Sequence, residues 1–78
     1  MALVKKLSKI HMDRNAVHAP VKDATFSVFE DDDGRSYLQI DTYGSPTRKL
    51  VGKKSQSLQF GPDAVRQLRQ ILDSLPSK

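Results

Sequence analysis

The residues best suited to chemistry in this chain are cations and tyrosines. Residues 44–60 contain no acid and hold four basic residues: Arg48, Lys49, Lys53 and Lys54. The segment before them carries Tyr37, Gln39 and Tyr43. Cations attract phosphates and aromatic rings stack on bases, and these two interactions hold single-stranded nucleic acid. Each group also has a simpler explanation, a solvated loop for the cations and partly buried sheet residues for the tyrosines.

Side chains for nucleophilic catalysis are scarce. The two histidines, His11 and His18, lie in an N-terminal region without a regular pattern, and the chain contains no cysteine. A nucleophile would therefore lack a positioned base, and a zinc site would lack thiolate ligands. The sequence predicts no enzymatic activity and no catalytic residues.

Two short motifs resemble ligand loops but do not fit them. The acidic run 30–33 precedes Gly34 as in a calcium loop, yet Ile40 then occupies the position of the bidentate acid. Residues 52–54 read Gly-Lys-Lys, but the segment after them alternates like a strand, whereas a phosphate loop leads into a helix. We therefore expect no metal and no cofactor.

The size of the chain limits its core. Its 78 residues, 37% of them hydrophobic, allow one domain, and without cysteine no disulfide can support it. Self-association is the remaining common way to stabilise such a small domain. The sequence shows neither a membrane-spanning stretch nor a signal peptide, so we expect a cytoplasmic protein, located on the nucleoid in a bacterium.

Charge divides the chain into blocks. Residues 1–22 carry five basic residues and one acid, residues 23–43 carry six acids and one basic residue, and residues 44–60 are purely basic. This asymmetry predicts a localised anion-binding strip rather than a uniformly basic surface. We interpret residues 1–22 as a basic, partly ordered arm and residues 23–78 as a single domain. A strand around Val17 within the arm is an alternative.

Three strands and one helix follow from the residue patterns. Residues 25–30 are rich in aromatic and β-branched types, and residues 36–43 and 55–60 alternate between polar and apolar. Asp33-Gly34 predicts a tight primed turn between the first two strands. Pro62 suits the start of a helix, and Pro76 ends its apolar stripe of Val65, Leu68, Ile71, Leu72 and Leu75.

These elements predict an α+β fold, an antiparallel sheet of three to four strands followed by one C-terminal helix. One sheet face should pack on the helix through Leu38, Ile40, Leu58 and Phe60. The other should present Tyr37, Gln39, Tyr43, Ser55, Ser57 and Gln59. The helix stripe is wider than one contact requires, so we expect a homodimer interface at Leu68, Leu72 and Leu75.

The order of these segments resembles the single-stranded-DNA-binding domain of the positive-cofactor-four transcriptional coactivators. The resemblance covers residues 25–75 and is carried by Tyr37-Leu-Gln-Ile-Asp-Thr-Tyr43, by Gly52-Lys53-Lys54-Ser-Gln-Ser57-Leu58, and by Pro62-Asp63 opening a helix with Leu68 and Ile71. It implies a curved four-stranded antiparallel sheet, helices paired in a homodimer, and single strands bound over basic and aromatic residues. By position it implies binding roles for Tyr43, Lys53 and Lys54, core roles for Leu58 and Leu68, and a first strand within residues 8–20. Asp41 stands where a basic residue is common in that family.

Three functional hypotheses follow. The leading one is a non-enzymatic, homodimeric module that binds single-stranded DNA or RNA, favouring DNA, in transcription regulation or DNA maintenance, with transcription or repair proteins as further partners. Its site comprises Tyr37, Gln39, Tyr43, Arg48, Lys49, Lys53 and Lys54. The alternative is a small protein-protein adaptor whose basic loop only improves solubility. A third is a minor subunit of an enzyme.

Overall fold

A mixed four-stranded sheet and one C-terminal helix make up the α+β fold, which confirms the predicted class. The computed structural model describes residues 1–44 and 54–76. Its elements are β1 (Ala2–Val4), β2 (Asp23–Glu30), β3 (Ser36–Tyr43), β4 (Lys54–Phe60) and α1 (Pro62–Ser74). The strand order is β1-β4-β3-β2, with β2, β3 and β4 antiparallel and β1 parallel to β4.

The strand register separates two sheet faces as the alternation predicts. Phe26 pairs with Ile40, which pairs with Leu58, so one face is apolar. We call it the apolar sheet face; it comprises Phe26, Val28, Leu38, Ile40, Leu58 and Phe60. The opposite side, the polar sheet face, comprises Asp23, Thr25, Ser27, Phe29, Tyr37, Gln39, Asp41, Tyr43, Ser57 and Gln59.

A β-bulge at the end of β3 changes the register of β4. Thr42 pairs with Gln56, but its neighbour Tyr43 pairs with Lys54, which leaves Ser55 as the extra residue. Simple alternation would place Ser55, and not Lys54, opposite Tyr43. The bulge therefore brings Lys54 to the polar sheet face, and Ser55 does not occupy its predicted place.

The hairpin turn between β2 and β3 differs from the predicted primed turn. The amide of Gly34 donates to the carbonyl of Asp31, and the amide of Asp31 donates to the carbonyl of Arg35, both at 3.0 Å. Gly34 has a φ of 78°, and no other described residue has a positive φ. A type I′ turn needs positive φ at both central residues, so this turn is a type I turn followed by a glycine bulge.

The N-terminal region contributes an edge strand earlier than expected. β1 forms at Ala2–Val4, and the amide of Gly61 donates to the Val4 carbonyl at 3.0 Å. Residues 5–22, all of them described, form no helix or strand, so the strand expected within residues 8–20 is absent there. Residues 8–22 are exposed throughout. A pair of hydrogen bonds between the Leu7 backbone and the Gln67 side chain connects this segment to α1.

The helix begins and ends where its sequence predicts. Pro62 lies in the first turn with Asp63, and no side chain caps the preceding Gly61. Proline lacks the amide hydrogen that would be unsatisfied at this position, so it is favoured there. Leu75, which ends the helix, is extended because the following Pro76 disfavours helical geometry in its neighbour.

Packing between α1 and the sheet is limited. Within residues 1–44 and 54–76, the buried hydrophobic residues are Phe60 and Ala64. Leu58, expected to meet the helix, is exposed, and Phe26 and Val28 are 75% and 65% exposed. The helix covers one end of the apolar sheet face, and most of that face is open.

Candidate nucleic-acid interface

The polar sheet face is built around β3. Strand alternation directs Tyr37, Gln39, Asp41 and Tyr43 to the same side, where the first, second and fourth are half-buried. Antiparallel pairing brings Gln59 opposite Gln39 and Ser57 opposite Asp41. The result is a continuous polar surface with a tyrosine at each end.

A buried carboxylate lies at the centre of this face. Asp41 is 5% exposed, and its oxygens accept hydrogen bonds from Ser57 Oγ at 2.5 Å and from Gln39 Nε2 at 3.1 Å. Lys54 Nζ lies 3.4 Å from Asp41 Oδ2. Gln59 Nε2 in turn donates to Gln39 Oε1 at 2.9 Å. These contacts form one hydrogen-bond network across β3 and β4.

The network keeps Asp41 ionised. The hydrogen bond from Ser57 lowers the pKa of the Asp41 carboxyl most, followed among the lowering contributions by Gln39 and Lys54, and burial opposes them. A buried carboxylate is tolerated only when hydrogen bonds and a counter-charge replace its water. Lys54 is about half exposed, so its ammonium compensates Asp41 on one side and faces solvent on the other.

The two tyrosines are held in different ways. Tyr37 stacks on Phe29 with ring centroids 5.4 Å apart and planes 9° from parallel, and its hydroxyl donates to Asp31 Oδ2 at 3.0 Å. That hydrogen bond raises the pKa of the Tyr37 hydroxyl. The hydroxyl of Tyr43 lies 3.2 Å from Thr25 Oγ1. Tyr37 is therefore fixed at two points and Tyr43 by a single hydrogen bond to the neighbouring strand.

The predicted site residues divide into two groups. The structure places Tyr37, Gln39, Tyr43 and Lys54 on one face. Arg48, Lys49 and Lys53 lie outside the described residues. The sequence analysis does not predict the stack of Phe29 on Tyr37 or the hydrogen-bond network around Asp41. Pairing the two strands outward from the hairpin turn would have placed Phe29 opposite Tyr37.

The residues predicted for the dimer interface lie on an uncovered helix surface. Leu72 and Leu75 are 56% and 59% exposed, and Leu68 is half-buried. Ile71 beside them is also exposed. This stripe continues past the short region where α1 meets β3 and β4.

In residues 1–44 and 54–76, no three His, Asp or Glu side chains group as metal ligands would. His11 pairs with Asp13 at 3.5 Å, both highly exposed. No helix of the described chain has the length and apolar character to cross a membrane.

Comparison with known proteins returned no relative. No family model matches the chain, no curated protein matches its sequence, and no solved structure matches its fold.

The Asp41 network predicts a specific response to acid. The network lowers the pKa of Asp41 from its ordinary value in the folded chain, so its ionised form stabilises the fold at neutral pH, and this contribution is lost as pH falls through the folded pKa. Asp41→Asn should lower the melting temperature at neutral pH, and the difference in melting temperature from the wild type should narrow as the solution is acidified through the lowered pKa of Asp41.

Thermal denaturation followed by circular dichroism over this pH range measures the gap. Asp32→Asn, a change of the same charge in the exposed hairpin turn, is the control and should run parallel to the wild type. A gap for Asp41→Asn that stays constant with pH would show that ionisation of this carboxyl contributes nothing.

Proposed function

We propose that this chain is a non-enzymatic, homodimeric module that binds single-stranded nucleic acid, preferentially DNA, in transcription regulation or DNA maintenance. The observation that carries the proposal is the polar sheet face, where Tyr37, Gln39 and Tyr43 lie in one file along β3. Six residues of strand separate the two tyrosines by about 20 Å, the length of roughly six stacked nucleotides. The resemblance to the positive-cofactor-four coactivators belongs to the same proposal.

Stacking supports binding at this face. Each base that stacks on an aromatic side chain contributes about 1–3 kcal/mol without reading sequence. Tyr37 is held by Phe29 and Asp31, so little side-chain freedom is lost when a base stacks on it.

Charge supports an anionic partner at the Tyr43 end. Lys54 lies opposite Tyr43 and follows a segment with three further cations and no acid. Asp41 carries the opposite charge, but it is buried under its network and faces Lys54. Asp23 lies opposite Tyr43 on β2, so a phosphate at this end would approach from the Lys54 side.

A second copy of the chain is the partner we assign to the open apolar surfaces. Among residues 23–44 and 54–76, six of the seven exposed large hydrophobic side chains lie on these surfaces: Phe26, Val28 and Leu58 on the apolar sheet face, and Ile71, Leu72 and Leu75 on α1. Contact with a second copy would remove such side chains from water.

Charge at the β2 edge argues against dimerisation by strand pairing. In a fully overlapping antiparallel pair of β2 strands, Asp23 would lie opposite Glu30 of the partner at both ends. Like charges directly opposite one another destabilise a sheet. We therefore assign the interface to α1, at Leu68, Leu72 and Leu75.

The alternative function is an adaptor that binds another protein. Its supporting observation is the exposure of Phe26 and Val28 side by side on the apolar sheet face. An adaptor requires no salt-dependent binding of single strands.

Location in the cytoplasm, on the nucleoid in a bacterium, remains part of the leading proposal because the cysteine-free composition suits a reducing compartment.

The basic strip can be tested through the salt dependence of binding. Lys53→Ala combined with Lys54→Ala should weaken binding of labelled oligo-dT at least tenfold at low salt. It should also flatten the slope of log affinity against log salt by up to about two units, one for each lost phosphate contact. Fluorescence anisotropy at several salt concentrations measures both quantities.

A matched control removes the same charge elsewhere. Lys9→Ala with Arg69→Ala takes one cation from residues 5–22 and one from the exposed side of α1, and it should keep most of the affinity. Equal losses in the two double variants would mean that net charge alone attracts the strand and that this face is not the site.

Tyr43 tests the stacking contribution. Tyr43→Ala should cost about 1–3 kcal/mol of single-strand affinity, and Tyr43→Phe should cost much less, because stacking needs the ring and not the hydroxyl. The same anisotropy titration compares the variants. If alanine and phenylalanine reduce affinity equally, the hydrogen bond to Thr25 matters instead, and the stacking role is excluded.

The dimer is tested at Leu72. Leu72→Asp places a charge on the exposed stripe of α1, so it should convert the protein to a monomer with a lower melting temperature and weaker oligo-dT binding. Gln70→Asp, on the same helix and also exposed, is the control. Sedimentation equilibrium decides: a wild-type mass near 8.7 kDa at tens of micromolar would contradict the dimer.

A further inference from the structure

A cavity opens at the Tyr37 end of the polar sheet face. It lies between the end of β1, the hairpin after β2 and the start of α1, and has a volume of about 590 Å³. Sites for small ligands commonly measure about 300–1,000 Å³. The cavity is therefore large enough for a nucleotide unit.

Three cations from separate parts of the chain line this cavity. Lys5 follows β1, Arg35 precedes β3, and Arg66 lies on the second turn of α1. Asp63 is the acidic residue of the wall, and its carboxylate accepts a hydrogen bond from Arg66 Nη2. The walls thus carry an excess of two positive charges, and two of the three cations are guanidinium groups, which match phosphate oxygens in geometry.

The cavity has one aromatic wall. Tyr37 contributes its ring, which is fixed by its stack on Phe29 and by its hydrogen bond to Asp31. Asp31 does not line the cavity, and its carboxylate accepts from the backbone amides of Asp33 and Arg35 as well as from Tyr37. The hydrogen bonds from the Arg35 amide and Tyr37 lower the pKa of Asp31. The Asp31 carboxylate is therefore already engaged by these donors.

The cavity is continuous with the proposed binding face. Tyr37 lies at one end of the row Tyr37, Gln39 and Tyr43 on β3, and it also lines the cavity. Gly61 lines the cavity beside the Tyr37 ring. A strand that follows the polar sheet face from Tyr43 to Tyr37 would place its next phosphate among the three cations.

We propose that this cavity binds the terminal phosphate of the single strand. The inference rests on the proposed function and extends it from strand binding to recognition of a phosphorylated end. A terminal phosphomonoester carries about −1.5 to −2 charge at neutral pH, which matches the wall charge, whereas an internal phosphodiester carries one negative charge. The cavity should therefore favour the end of a strand over its interior.

The test compares oligonucleotides that differ only at their ends. Oligo-dT with a 5′-phosphate, with a 3′-phosphate and with two hydroxyl ends is titrated into the wild-type protein. One of the two phosphorylated strands should bind at least tenfold more tightly than the hydroxyl strand. Arg35→Gln and, separately, Lys5→Gln should abolish that gain and leave affinity for the hydroxyl strand within about twofold, since both residues lie outside the row Tyr37, Gln39 and Tyr43.

A matched variant and a second probe separate the possible failures. Arg69→Gln removes a cation from an exposed part of α1 that does not line the cavity, so it should keep the gain. If oligo-dT binds but a terminal phosphate adds nothing, or if the gain survives in Arg35→Gln, the cavity proposal is overturned while the proposed function stands. If oligo-dT does not bind at all, thymidine monophosphate and inorganic phosphate are titrated by calorimetry. Binding of thymidine monophosphate that depends on Arg35 would support an anion cavity and reject the strand-binding function. Absence of binding would reject the cavity proposal and the strand-binding function together.

Discussion

The hydrogen-bonded register between β3 and its two neighbours determines the rest of this structure. It assigns each residue of β2 and β4 to a face, places the carboxylate of Asp41 next to Ser57, and puts Phe29 on the ring of Tyr37. A shift by one residue would move the whole polar set to the other side. The bulge at Tyr43 shows how the site depends on register, since it puts Lys54 rather than Ser55 opposite Tyr43, and the Lys54 ammonium contacts Asp41.

Local pattern was enough to predict the elements with strong periodicity. The bounds of β3 and the start of α1 agree with the sequence analysis, because alternation and the Pro62-Asp63 pair are local signals. The turn type was wrong because a glycine with positive φ fits both a primed turn and a type I turn with a bulge. β1 was missed because three residues carry too little pattern, and its partner residues lie near the other end of the sequence.

The candidate site was only partly predictable for the same reason. Membership of the polar sheet face follows from alternation, so Tyr37, Gln39 and Tyr43 were placed together correctly. The ion pair of Lys54 depends on a bulge, and the grouping of Lys5, Arg35 and Arg66 depends on how β1, the hairpin and α1 meet. Such long-range arrangements have no signature in a single sequence. They matter for stability here, because the described part of the fold buries few hydrophobic side chains and relies on its hydrogen-bonded sheet and polar networks.

The short edge strand has a consequence for motion. β1 pairs residue 2 with residue 58 and residue 4 with residue 60, so it closes a chain loop that spans most of the domain and gains only three residues of pairing. Loop-closure entropy makes such a strand late to form and early to open. Its amides should exchange with solvent faster than those of β3, and each opening would carry Leu3 and Lys5 away from the cavity. An anion bound there would stabilise the closed state, so occupancy of the cavity and protection of the β1 amides from exchange would rise together.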